Sequence, residues 1–133
     1  MIEWSGPYNS GAAVGEAGVA TANANTNHKL TGKIHAIYVK YNDSPPASTC
    51  DVAITTKGTS PSVPAITLYS KSDSATDVLV YPRIQVHTTG GTALTMDGTN
   101  IQSDKIAIDD QVNVKIDQAN VGDNVDVWIA LEK

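Results

Sequence analysis

The chain has 133 residues, of which 41% are hydrophobic, 17% charged and 5% aromatic, and this length fits about one domain. Nine Lys and Arg against fourteen Asp and Glu give a net charge of −5, and Arg83 is the single arginine. Because phosphate binding needs clustered basic residues, this balance argues against nucleic acid as the main partner and against a polybasic membrane patch. No apolar run approaches the roughly 20 residues that span a bilayer, so we expect no membrane partner.

The first 27 residues differ in composition from the rest of the chain. Small residues dominate 11–27, and such a segment buries little apolar area by itself, at roughly 25 cal/mol per Å². We expect 1–27 to be an extended N-terminal arm, either ordered against another chain or frayed, ahead of a β-sandwich domain over 28–133. Trp4 and Tyr8 in this arm are candidate interface residues because large rings contribute disproportionately at interfaces. The start has no basic n-region and no apolar h-region, which predicts synthesis in a cytoplasm without a secretory signal.

Beyond the arm, apolar residues alternate with a period of two and show no sustained helical period. This pattern predicts strands over 30–41, 50–56, 64–69, 78–87, 105–108, 112–117 and 125–132. Dense turn chemistry over 42–48 and 57–61 separates the early strands. Pro82 lies in the fourth predicted strand, at a position that alternates with that strand's apolar side chains. Because proline has no backbone N–H to donate to a neighbouring strand, it marks a sheet edge or a bulge.

The longest and the last predicted strands carry the remaining candidate interface residues. Strand 30–41 is apolar on both faces, which suits a strand inside a sandwich or one covered by a neighbouring subunit, so Ile37, Val39 and Tyr41 are assigned to a subunit seam. In the last strand, Trp128 alternates to the face opposite its valine and isoleucine neighbours, where it is exposed or covered by a subunit. The whole pattern predicts an all-β, antiparallel β-sandwich, jelly-roll-like, with about seven or eight strands.

Nothing in the sequence specifies a catalytic or metal site. Cys50 is the only cysteine and alternates in phase with apolar neighbours, so we interpret it as a small buried hydrophobe. The three histidines lack metal-ligand spacing, no calcium loop or glycine-rich phosphate loop is present, and no Gly-x-Ser-x-Gly elbow supports a serine nucleophile. We therefore predict a non-enzyme with no catalytic residues, no cofactor and no metal.

Three stretches carry a resemblance to a known group of proteins: Lys-Ile-His-Ala-Ile-Tyr-Val-Lys-Tyr at 33–41, Tyr-Pro-Arg-Ile-Gln-Val-His at 81–87, and the run 106–116. They resemble small virion structural proteins encoded among the head genes of tailed bacteriophages. The resemblance implies a capsid decoration (cement) protein that binds the major capsid protein on the outer surface of the capsid and stabilises the head. It further implies synthesis in the host cytoplasm and self-association, with a homotrimer favoured over a dimer. No catalytic residues are carried over.

The alternative is a carbohydrate-binding or receptor-binding β-sandwich module, such as a fibre tip or an accessory domain. Sugar platforms need exposed aromatic rings on which CH groups stack, and the sequence offers few. The candidates are Trp4, Tyr8, Tyr69, Tyr81 and Trp128. A small hydrolase is a third interpretation, disfavoured because a catalytic cleft in so small a sandwich would usually be lined with aromatics.

Overall fold

A computed structural model of the chain describes residues 1–42, 46–59 and 63–133. The turns predicted over 42–48 and 57–61 lie partly outside these ranges. The described residues form strands and connecting loops, without helices. The strands are β1 (Ile2–Asn9), β2 (Ala20–Asn25), β3 (Leu30–Tyr41), β4 (Asp51–Thr56), β5 (Thr67–Lys71), β6 (Val78–Val80), β7 (Arg83–Gln85), β8 (Ser103–Lys105), β9 (Ala107–Asp110), β10 (Val112–Ala119) and β11 (Val125–Glu132).

Two antiparallel sheets make up the sandwich. The first sheet has the order β1-β11-β3-β6, with β9 also paired to β3, and the second has the order β2-β10-β4-β5. The chain crosses from one sheet to the other after β1, β2, β3, β5, β9 and β10. This arrangement is that of a jelly roll, so the predicted all-β, jelly-roll-like sandwich is confirmed.

The strand count and the N-terminal segment differ from the prediction. The described residues form eleven strands instead of seven or eight, because β1 and β2 lie in the predicted arm, the strand at 78–87 is divided into β6 and β7 around Pro82, and β8 is an additional strand that pairs with β7 outside the sandwich. Within 1–27, strands β1 and β2 are extended and a turn at 15–19 lies between them; neither strand is a separate arm, because β1 pairs along β11 and β2 pairs along β10. Neighbouring strands supply the ladder hydrogen bonds that these small residues need, so the segment completes one edge of each sheet.

The core lies between the inner faces of the two sheets. A β-bulge in β3 lets Ile34 and Ile37 both point inward, since Ala130 pairs with Ala36 while Leu131 pairs with Ile34. Ile37, Val39 and Tyr41, which were assigned to a subunit seam, are 0%, 0% and 4% exposed and belong to this core. That assignment is wrong because the second sheet of the same chain, and not a neighbouring subunit, covers this face of β3.

A buried carboxylate accepts hydrogen bonds from two loops at one end of the sandwich. Asp123 is 5% exposed, and its Oδ2 accepts hydrogen bonds from the backbone N–H of Ala47 (3.0 Å) and of Asn120 (2.9 Å). The side-chain amide of Asn42 donates to the other carboxylate oxygen at 3.4 Å. Because buried N–H groups without an acceptor are costly, this side chain stabilises the turn that leads into β11.

Candidate functional site

Four large apolar side chains lie together on the outer face of the first sheet, which the core does not use. Each comes from a different strand: Trp4 from β1, Tyr38 from β3, Leu79 from β6 and Trp128 from β11. They surround a shallow depression of about 360 Å³. We call these four residues the aromatic platform.

The strand register explains why these side chains meet. Trp128 is paired directly with Tyr38, and Tyr38 with Leu79, so three of the residues form one row across three strands. Trp4 is paired with Ala130, two positions further along β11 and on the same face as Trp128. Side chains of paired residues, and of residues two apart on one strand, are neighbours on a sheet surface.

The platform is open to solvent although it consists of large hydrophobic groups. Trp4 is 50% exposed and Leu79 is 46% exposed. The rings of Tyr38 and Trp128 have centroids 5.6 Å apart and planes inclined by 36°, so they form a tilted and continuous aromatic surface. Contiguous exposed apolar surface on a small protein marks a site of interaction.

Polar groups border the platform at one end. Asp126 lies two residues before Trp128 on the same face of β11 and is paired with Lys40 of β3. Asn9 donates hydrogen bonds from its side-chain nitrogen to Asp126 (2.9 Å) and to Asn124 (3.0 Å). The Asp126 position thus lies about 7 Å from the Trp128 position, given a rise of about 3.3 Å per strand residue.

An ion pair borders the opposite end. Glu132 accepts a hydrogen bond from the ammonium group of Lys105, which lowers the pKa of the Glu132 carboxyl below its usual value. The Nδ1 atom of His35 lies 4.0 Å from the same carboxylate, and the His35 ring packs edge-on against Tyr81. Opposite charges therefore balance at this end of the platform.

The structure brings only some of the predicted site residues together. Trp4 and Trp128 both belong to the platform, and Trp128 faces away from the core as its alternation predicted. Tyr8 lies apart from it, at the sandwich edge, and Tyr69 packs against the core from β5. Sequence reasoning missed Tyr38 and Leu79.

The alternation of β3 was enough to assign Tyr38 to the outer face of the sheet. It is out of phase with Ile37 and Val39, so once those two residues are assigned to the core, Tyr38 must lie on the outer face. Leu79 had no comparable signal, because its three-residue strand is too short to show a pattern.

The described part of the chain offers no group of three or more His, Cys, Asp or Glu side chains placed to hold a metal ion. No helix within it is long and apolar enough to cross a membrane. The thiol of Cys50 is fully buried, and burial raises its pKa to about 11, which makes it a poor nucleophile.

Among known proteins, the chain has a structural likeness and no sequence match. No family model matches the chain, and no curated protein matches it. Among solved structures, it is similar to a mutant of CBM29-2, described as a family 29 carbohydrate-binding module, with a TM-score of 0.44 and 8% identity over 98% of this chain and 86% of that one. A likeness at this level carries no conclusion about function.

Proposed function

We propose that this domain is a non-enzymatic module that binds a saccharide on the aromatic platform. The observation that carries the proposal is the position of Trp4, Tyr38 and Trp128 on one outer sheet face, where no element of the described residues covers them. The CH-bearing face of a pyranose ring is apolar and stacks on an aromatic ring, while its hydroxyls stay at the rim.

The surroundings of the platform fit a neutral sugar chain. Hydroxyl groups both donate and accept hydrogen bonds, and the carboxylate of Asp126, two residues from Trp128 on β11, presents acceptors near the aromatic surface. Charges of opposite sign lie near one another beside the platform, with Lys40 across from Asp126 and Lys105 on Glu132, which suits a neutral ligand more than an ionic one.

The chain provides its own probe for this function. Trp4 and Trp128 are its only two tryptophans, and both belong to the platform. Their fluorescence therefore reports on the platform without labelling. Titration with soluble glucans, mannans, galactans, xylans and chitin oligomers should give a saturable change with at least one of them.

The size of the effect follows from the exposed area. A sugar that covers about 50 Å² of the Trp4 ring gains about 1.3 kcal/mol, and stacking adds about 0.5 to 1 kcal/mol. Trp4→Ala should therefore weaken binding by about 2 kcal/mol, or roughly thirtyfold in Kd. Trp128→Ala should do at least as much, whereas Ile101→Ala removes a 61% exposed side chain outside the platform and should leave Kd unchanged.

Two results would overturn the proposal. One is the absence of a fluorescence change and of column retention with every polysaccharide in the panel. The other is binding that survives both tryptophan substitutions unchanged, because the sugar would then lie elsewhere on the protein.

A further inference from the structure

A second cavity, of about 380 Å³, opens at one edge of the sandwich, where β1 of the first sheet approaches the segment 24–28 at the end of β2. Its walls include Tyr8, Asn9, Asn25, Asn27 and His28, and it shares no lining residue with the aromatic platform. A volume near the lower end of the range for ligand sites suits one small ligand.

Two polar side chains of the cavity wall are already hydrogen-bonded within the protein. The side-chain nitrogen of Asn9 donates hydrogen bonds to Asn124 and Asp126. Its Oδ1 accepts a hydrogen bond from the backbone N–H of Gly11 at 2.7 Å. The hydroxyl of Thr26 donates to the carbonyl of His28 (2.8 Å) and accepts from the N–H of Val112 (3.1 Å). These bonds fix the walls and leave those groups little capacity for a ligand.

Three other polar side chains keep free capacity. Asn25 accepts a hydrogen bond from Asn113 at 2.9 Å, but its own NH₂ group donates to no described residue. The side-chain amide of Asn27 and the ring nitrogens of His28 form no hydrogen bond within the described chain. The NH₂ group of Asn25, the amide of Asn27 and the ring nitrogens of His28 thus keep hydrogen-bonding capacity for a ligand.

An aromatic wall stands beside these groups. The hydroxyl of Tyr8 is hydrogen-bonded to the side chain of Ser5, and its ring packs in part against the core and gives the rest of its surface to the cavity wall. The ring of His28 packs against it edge-on, with centroids 6.3 Å apart and planes inclined by 64°. No carboxylate, lysine or arginine lines the cavity.

We propose that this edge cavity is a second saccharide site, which takes a single neutral sugar ring. The ring of Tyr8 offers an apolar surface for the CH groups, and the amides of Asn25 and Asn27 match vicinal hydroxyls because each amide both donates and accepts. The described wall holds no carboxylate, lysine or arginine to pair with an ionic ligand, and charged groups are costly to desolvate unpaired, so a neutral sugar fits this wall best. The site is independent of the platform, so either one stands without the other.

The test is a titration of ¹⁵N-labelled protein with glucose, galactose, mannose and N-acetylglucosamine, with glucuronate and glucosamine as charged counterparts. At least one neutral sugar should shift the backbone and side-chain amides of 25–28, with a Kd of about 1 to 10 mM. Neither charged sugar should bind more tightly.

Substitutions separate the two sites. The double variant Asn27→Ala, His28→Ala changes two exposed residues and should weaken binding at the cavity at least tenfold. Trp4→Ala should leave the shifts at 25–28 unchanged. The proposal is overturned if no neutral sugar shifts these amides up to about 100 mM, if a charged sugar binds more tightly, or if the double variant binds as well as the wild type.

Discussion

At Gly6 the backbone of β1 passes close to Trp128, and substitution of this residue tests the link between the fold and the platform. Its φ is +126°, a conformation that side-chain-bearing residues rarely adopt. A Cβ atom there would lie 2.6 Å from the carbonyl oxygen of Val127 and 3.3 Å from Cδ1 of the Trp128 ring.

Gly6→Ala should therefore destabilise the protein through two effects. The unfavourable φ costs about 1 to 3 kcal/mol. The contact with the Val127 carbonyl involves backbone and not a flexible side chain, so β1 must move away from β11 and weaken its ladder. Together we expect a loss of about 3 kcal/mol in the free energy of unfolding.

Gly98→Ala is the matched control, because Gly98 also has a positive φ (+83°) but no atom lies within 4 Å of its added Cβ. It should cost only about 1 kcal/mol. Urea unfolding followed by tryptophan fluorescence measures both variants, and the native emission of Gly6→Ala should change as well, because Trp4 moves relative to Trp128. Equal destabilisation by the two substitutions would refute the close approach of β1 to β11.

Three further predictions concern the core and its buried polar groups. Ile129→Ala removes a side chain that is 0% exposed and should lower the free energy of unfolding by about 3 to 4 kcal/mol in urea titrations, whereas a loss below about 1 kcal/mol would contradict its place in the core. Asp123→Ala leaves two backbone N–H groups without their acceptor and should cost about 3 kcal/mol, with Asp123→Asn milder because one oxygen remains; equal losses would argue against these hydrogen bonds. Cys50 should resist a disulfide reagent at pH 8 in the folded protein and react fully in urea. Because burial raises its folded pKa from 9.0 to about 11, its contribution to stability is complete below pH 9 and is lost as the pH rises through 11; a flat alkaline profile that Cys50→Ala does not alter would contradict this.

The sandwich was predictable because its central strands carry their own pattern. In β10, valine and isoleucine alternate with polar residues, and in β11 Val125, Val127 and Ile129 alternate with residues of the outer face; the structure buries them as the alternation requires. The edge strands β1 and β2 were not predictable as sheet strands. Their residues are small or exposed, so the hydrogen bonds from β11 and β10 define these strands more than their own side chains do.

The platform could be predicted only in part, because local alternation shows the face of a strand but not the strands beside it. Alternation assigns Trp128 to the outer face, but it does not show which strands lie beside β11. Trp4 and Tyr38 reach Trp128 only because β1 and β3 flank β11, a long-range pairing that no local pattern encodes. The mistaken assignment of Ile37 and Val39 to a subunit seam has the same origin, because a strand that is apolar on both faces does not reveal which face the chain itself covers.

The capsid decoration prediction and the saccharide proposal place different demands on the same platform. A cement protein would cover Trp4 and Trp128 in a subunit or capsid contact, since exposed apolar surface is what such contacts bury. The native mass across a dilution series, with and without saturating saccharide, separates the two. A trimer or dimer that dissociates when sugar binds would show that both ligands use this face, and an oligomer that Trp4→Ala alone dissolves would favour a subunit seam. A monomer that binds sugar at every concentration would assign the platform to the saccharide.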